Sequence, residues 1–150
     1  MQVKHLDHVN LTVRNFDETV TWYGHAFGFE KVEESVTDGV RWGVIRSGDA
    51  MLCIYEHPDY EYLDRFQLGE REQYGMAHFA LRITDVDGWL ETVERHGIEI
   101  QYGGEVEWPH SRSWYVFDPT GYEIEVVFWQ DGTIRFDPLQ TATTGTTGSD

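Results

Sequence analysis

One local order of elements occurs twice along the chain, and this repeat constrains its architecture more than any other feature. From Leu6 to Val13, apolar Val9, Leu11 and Val13 alternate with His8, Asn10 and Thr12, the period of a half-buried strand. A helix follows, with Asp17 as its expected cap, Val20, Tyr23 and Phe27 as its buried stripe and Gly28 as its stop. Strand-like runs then cover 29–36, 40–46 and 51–56, parted by Thr-Asp-Gly and Ser-Gly-Asp turn signals. The same β-α-β-β-β order returns from Met76. Phe79, Leu81 and Ile83 alternate with His78, Ala80 and Arg82, and Asp85 or Asp87 caps a second helix that carries Leu90 and Val93 and stops at Gly97. Strands are expected near 98–102, 113–117 and 122–129. His8 and His78 lie 70 residues apart, Gly28 and Gly97 lie 69 apart, and Gly48 and Gly121 lie 73 apart. A near-constant offset at three landmarks marks an internal duplication.

A chain of 150 residues suits one compact domain that buries roughly 70% of its unfolded surface. The expected organisation is a single domain over 1–131, with modules at about 4–57 and 75–130, a linker over 58–74 holding at most one irregular turn, and a flexible Thr/Gly/Ser tail over 132–150. Hydrophobic residues make up 40% and include six Trp, enough for a core. Eleven basic against 27 acidic residues give a formal net charge of −16, whose average field repels nucleic acid and anionic membrane. Cys53 is alone, so no internal disulfide forms. The N-terminus lacks a basic leader followed by an apolar core, and no apolar run approaches bilayer length. A cytoplasmic address and a small-molecule partner are therefore expected.

His8 and His78 sit on polar faces at matching positions of the two first strands. If the modules pack side by side and curl their sheets, these faces line a shared concave surface. The segment YEIEVVFW adds Glu123 and Glu125 on one face, with Ile124, Val126 and Phe128 on the other. Two imidazoles and a carboxylate suit one divalent ion such as Fe2+, Mn2+, Ni2+ or Zn2+, and leave positions open to substrate oxygens.

Three segments resemble the vicinal oxygen chelate superfamily, which includes glyoxalase I, extradiol dioxygenases, fosfomycin-modifying enzymes and bleomycin-binding proteins. They are LDHVNLTVRNFDETVTWYGHAFGFE, GMAHFALRITDVD and YVFDPTGYEIEV, within about residues 4 to 130. The resemblance implies an α+β fold of two tandem β-α-β-β-β modules whose curved sheets form a half-open barrel or cup. It carries metal ligation to His8, His78 and Glu125, with Glu125 rather than Glu123 in the ligand slot. It also implies a homodimer, in which His8 meets His78 and Glu125 of either its own chain or the partner.

Glyoxalase I takes a fourth ligand from the first module's last strand, where this chain has Cys53; Glu56 lies three residues on, at an odd offset. Tyr115, Asp118, Pro119, Gly121 and Glu125 reproduce the spacing of extradiol dioxygenases, in which the Tyr hydrogen-bonds a metal-bound substrate oxygen. Tyr115 reads equally as plain strand structure, and His110 stands closer to it than that pattern requires. The expected function is a mononuclear metal enzyme that chelates substrate through vicinal oxygens, with extradiol oxygenation ahead of glyoxalase-like isomerase or lyase chemistry. The alternative is a non-catalytic ligand-sequestering protein of the bleomycin-resistance type. Arg82 and Arg112 are the candidates near the cup for binding an anion. Trp42, Trp108, Trp114 and Phe66 are candidate pocket walls or core residues, and His5, His25, His57 and His96 are read as structural.

Overall fold

The computed structural model describes residues 1–136. The first module runs β1 (Val9–Val13), α1 (Phe16–Phe27), β2 (Glu30–Thr37), β3 (Val40–Ser47) and β4 (Ala50–Glu56). The short helix α2 (Arg65–Glu70) follows, and then β5 (Phe79–Arg82), α3 (Val86–His96), β6 (Val106–Glu107), β7 (Ser111–Phe117) and β8 (Glu123–Trp129). The strands form two four-stranded sheets, ordered β1-β4-β3-β2 and β5-β8-β7-β6. In each, the first strand runs parallel to the last and the other pairs are antiparallel. The duplicated order in the sequence is thus a duplicated topology, and the fold is α+β with two open sheets.

Period-two patterning decides which face of each sheet is buried. Leu11, Val13, Ile45, Leu52 and Ile54 from the first sheet join Trp114, Val116, Ile124 and Val126 from the second in one core. The opposite faces carry Asn10, Thr12, Trp42, Tyr55, Tyr115 and Glu125. The helices close the core. Gly28 ends α1 at φ 66, a left-handed position that favours glycine. In β3, Gly43 lets the sheet approach the α1 side closely, since a Cβ there would fall 2.7 Å from the Phe16 ring.

The modules meet through their helices and through the turn before β8. Phe27 of α1 stacks on Trp89 of α3 with centroids 5.5 Å apart, and His25 stacks on His96 at 4.7 Å. Tyr23 donates to Asp118 Oδ2 at 3.1 Å, and the Tyr122 hydroxyl donates to the Thr12 carbonyl at 3.1 Å. Asp118 Oδ1 accepts the backbone N–H groups of Thr120, Gly121 and Tyr122, which fixes the Asp-Pro-Thr-Gly turn that aims β8.

Several local expectations change. Asn15, not Asp17, caps α1 by accepting from Glu18 N, while Asp17 pairs with Arg41; Asp85 is the cap of α3. The segment between modules contains a regular helix rather than an irregular turn, because Asp64 and Gln67 form a reciprocal capping box at its start. Residues 98–102 form no strand. Ile98 and Ile100 pack on the core, but Tyr102, Gly103 and Gly104 have φ of 56, 81 and 124, a turn that delays pairing until β6. Of the expected tail, 137–150 lies outside the described residues, while 132–136 returns toward the second sheet, where Phe136 meets Trp129 edge to face at 5.3 Å. Among the described residues no helix is long and apolar enough to cross a membrane.

Candidate metal centre

His78 immediately precedes β5, and β5 pairs with β8 in the register Ala80 to Glu125. That pairing brings His78 Nε2 to 3.2 Å from Glu125 Oε2. Ser113 of β7 donates to the other oxygen, Oε1, at 2.7 Å, so the carboxylate is held with one oxygen toward the imidazole. Tyr115, directly opposite Glu125 across the β7–β8 ladder, packs edge to face on His78 with centroids 5.7 Å apart. Burial first, and then the negative charge of Glu125, push its phenol above the usual range, so it remains a proton donor at neutral pH.

Behind this pair lies a group that the sequence reading left without a role. Glu123, its side chain 1% exposed, takes a salt bridge from Arg65 of α2 at 2.9 Å and a hydrogen bond from the Tyr102 hydroxyl at 2.6 Å. Burial and then this bond to Glu123 raise the Tyr102 phenol to about 12. With both oxygens engaged, Glu123 backs the site and Glu125 faces it. His78 Nδ1 has a donor, Arg65 Nη1, at 3.4 Å and an acceptor, Glu123 Oε1, at 3.5 Å. Either tautomer of the ring is therefore served on its inner side while Nε2 stays toward Glu125. Glu123 could be suspected from its shared face with Glu125. Arg65 and Tyr102 carried no sequence signal, since one lies in the presumed linker and the other in a presumed strand.

His8 is elsewhere. It precedes β1, pairs through Nδ1 with Asp7 at 2.9 Å and lines a cleft of about 150 Å3 with residues 49–52 and 79–81. Among the described residues no three His, Cys, Asp or Glu side chains come together to hold a metal ion. The chain thus unites His78, Glu125 and Tyr115 and does not bring His8 to them. The first module adds no fourth acid. Glu56 accepts from Phe16 N at 2.7 Å and so serves the start of α1, and burial pushes the Cys53 thiol upward, away from thiolate.

Glu125 and Tyr115 open into a cavity of about 390 Å3 whose other walls include Trp108, Val127, Trp129 and Phe136. Trp108 is thus a wall, whereas Trp114 is buried in the core. Trp42 stacks on Tyr55 on the face of the first sheet turned away from the core, and Phe66 lies against Tyr102. His110 is buried at the cavity margin, His57 stacks on Tyr60, and Arg112 pairs with Glu105.

No curated protein matches the chain in sequence. A domain of the glyoxylase/bleomycin resistance protein/dioxygenase kind from Frankia sp. EAN1pec superposes with TM-score 0.73 at 19% identity, over 88% of this chain and 96% of that one. A Glu-to-Gln mutant of the fosfomycin resistance protein FosX from Listeria monocytogenes, in a structure with Mn(II) and 1S,2S-dihydroxypropylphosphonic acid, gives 0.65 at 19%, over 83% and 92%. A glyoxalase family protein from Enterococcus faecalis gives 0.64 at 20%, over 83% and 97%. At such identities these likenesses concern the fold. The family model of the Glyoxalase/Bleomycin resistance protein/Dioxygenase superfamily matches residues 5–126, and the chain belongs to that superfamily.

Proposed function

We propose that this protein is a divalent-metal-dependent enzyme whose metal is held by His78 and Glu125 of one chain and His8 of a second copy. The observation that carries the reading is the 3.2 Å approach of His78 Nε2 to Glu125 Oε2 at the head of a cavity. An imidazole and a carboxylate that share one point of approach, each braced from behind, suit a borderline divalent ion. His8 supplies the third donor from outside because its own chain directs it to Asp7. A homodimer that joins one copy's first module to the other's second would do so.

When bound, the metal would polarise vicinal substrate oxygens as a Lewis acid. The chain's own groups do the remaining work. Tyr115, kept protonated, donates to a substrate oxygen beside Glu125, Ser113 keeps Glu125 oriented, and the Trp108 and Trp129 walls exclude water. Three protein ligands leave room for a chelating substrate and, in an oxygenase, for dioxygen. The absence of an acid at Cys53 favours extradiol-type oxygenation over a glyoxalase-like isomerase or lyase.

Elemental analysis tests the metal reading, and oxygen uptake with catechols under Fe(II) tests the reaction. One bound metal per chain with catechol-dependent oxygen uptake is expected. No stoichiometric metal under any of the four ions sinks the enzyme reading. Because FosX is named for fosfomycin resistance, fosfomycin turnover with Mn(II) is the second reaction to assay.

A further inference from the structure

The faces of both sheets that turn away from the core carry aromatic residues, whichever copy supplies each module. On the first, Trp42 and Tyr55 are cross-strand partners that stack at 6.3 Å and 22°. On the second, Trp108, Tyr115, Trp129 and Phe136 line the cavity beside Glu125. Trp108 is 50% and Phe136 86% exposed, so large apolar surface lies open at the mouth rather than being consumed by the core. A cavity of about 390 Å3 exceeds the roughly 150 Å3 hollow that accepts one benzene ring, and it suits a ligand of one or two rings.

Charge adds a second requirement. In a chain of net −16, most guanidinium groups face carboxylates: Arg41, Arg65, Arg71, Arg95, Arg112 and Arg135 all do. Among the described residues Arg14, Arg46 and Arg82 have no carboxylate partner, and Arg14 lies over the Tyr62 ring. The other two lie on the faces turned away from the core, since Ile45 beside Arg46 and Leu81 beside Arg82 pack on it. Arg46 shares the parity of Trp42 along β3, and Arg82 lines the cavity two residues along β5 from Ala80, the neighbour of Glu125. Arg82 gives one hydrogen bond to the Gly132 carbonyl, in the segment that bears Phe136; among the described residues its remaining donors have no partner.

We propose that the substrate is a planar aromatic molecule carrying a carboxylate. Its ring packs among Trp108, Trp129 and Phe136, its carboxylate pairs with Arg82, and its remaining oxygens face His78 and Glu125. The proposal deepens the enzyme reading above and rests on the same cup being the substrate site. The average field repels anions, so affinity for the carboxylate is local to Arg82, and the ring supplies most of the binding.

The test is calorimetric titration of the EDTA-treated full-length protein with 2-naphthoate, with 2-naphthalenemethanol, which keeps the ring and loses the charge, and with cyclohexanecarboxylate, which keeps the charge and loses the plane. One 2-naphthoate per chain is expected, with the alcohol about tenfold weaker, the scale of one charge-assisted hydrogen bond, and the saturated acid at least about tenfold weaker because it loses one ring's apolar area and the stacking plane. Arg82→Gln should weaken 2-naphthoate about tenfold and spare the alcohol, Arg82→Lys should retain most of the affinity, and Trp108→Ala should weaken both ring compounds alike. Circular dichroism confirms that each variant is folded.

The inference is overturned if wild-type protein shows no saturable 2-naphthoate binding, if the alcohol or the saturated acid binds as well, or if Trp108→Ala changes nothing. It is also overturned if Arg82→Gln weakens acid and alcohol equally, since Arg82 would then act only on the Gly132 segment. Metal uptake, measured separately by elemental analysis, separates the two failures. Stoichiometric metal without arene binding removes this inference alone, and arene binding without metal removes the enzyme reading alone.

Discussion

His78 Nε2 lies 3.2 Å from Glu125 Oε2, an approach set by the β5–β8 register, in which Ala80, two residues after His78, pairs with Glu125. A metal placed at that approach stabilises the fold by mass action, by about 2.7 kcal/mol at a hundredfold excess over its dissociation constant. His78→Ala and Glu125→Gln should each abolish both stoichiometric metal and the metal-dependent rise in melting temperature, while Glu56→Gln should leave both intact. A metal-dependent rise that survives in Glu125→Gln would place the ion elsewhere.

The separation of His8 from this pair makes subunit exchange measurable. His8→Ala and Glu125→Gln chains, each defective alone, should regain metal when unfolded together and reassembled. A mixed dimer with exchanged ligands has one intact site, so an equal mixture should recover about a quarter of the wild-type sites. If His8 instead joins its own chain's Glu125, the mixture recovers none.

Glu123 should matter without touching the metal. It stands behind Nδ1 of His78, and its oxygens are taken by Arg65 and Tyr102. Glu123→Gln should lower metal affinity by about 10- to 100-fold, the usual scale for a residue that orients a ligand, and leave stoichiometry at one. Tyr102→Phe should have a smaller effect of the same sign. Metal titration reads both, and unchanged affinity in Glu123→Gln would deny it the orienting role.

Asp118 links the turn before β8 to Tyr23 in the other module. Asp118→Ala leaves three backbone N–H groups and the Tyr23 hydroxyl without their acceptor, a loss of about 3 kcal/mol in urea unfolding, and Asp118→Asn should cost less. Burial pushes this carboxyl above its ordinary 3.8, an effect that the backbone donors only partly offset. The folded state therefore holds the proton more tightly than the unfolded one, and the Asp118 contribution to stability falls as pH rises from 3.8 through the folded value. The stability difference between wild type and Asp118→Asn should shift in that sense as pH rises above 3.8, and a flat difference would contradict it.

The sequence alone determined the duplicated module, the buried parity of each strand and the stops at Gly28 and Gly97, because these depend on local periodicity and backbone chemistry. It also named His78, Glu125 and Tyr115, which three adjacent strands of one module, β5, β8 and β7, bring together. Tertiary structure decided what depends on distant segments meeting. The helix in the presumed linker delivers Arg65 to Glu123, the turn at Tyr102 delivers a hydroxyl to the same carboxylate, and residues 132–136 return to wall the cup. It also decided that His8, though equivalent to His78 in the repeat, stands apart from it, because the two modules of one chain join through α1, α3 and the Asp118 turn. Periodicity assigns a residue to a face; which faces meet is set by how the modules pack.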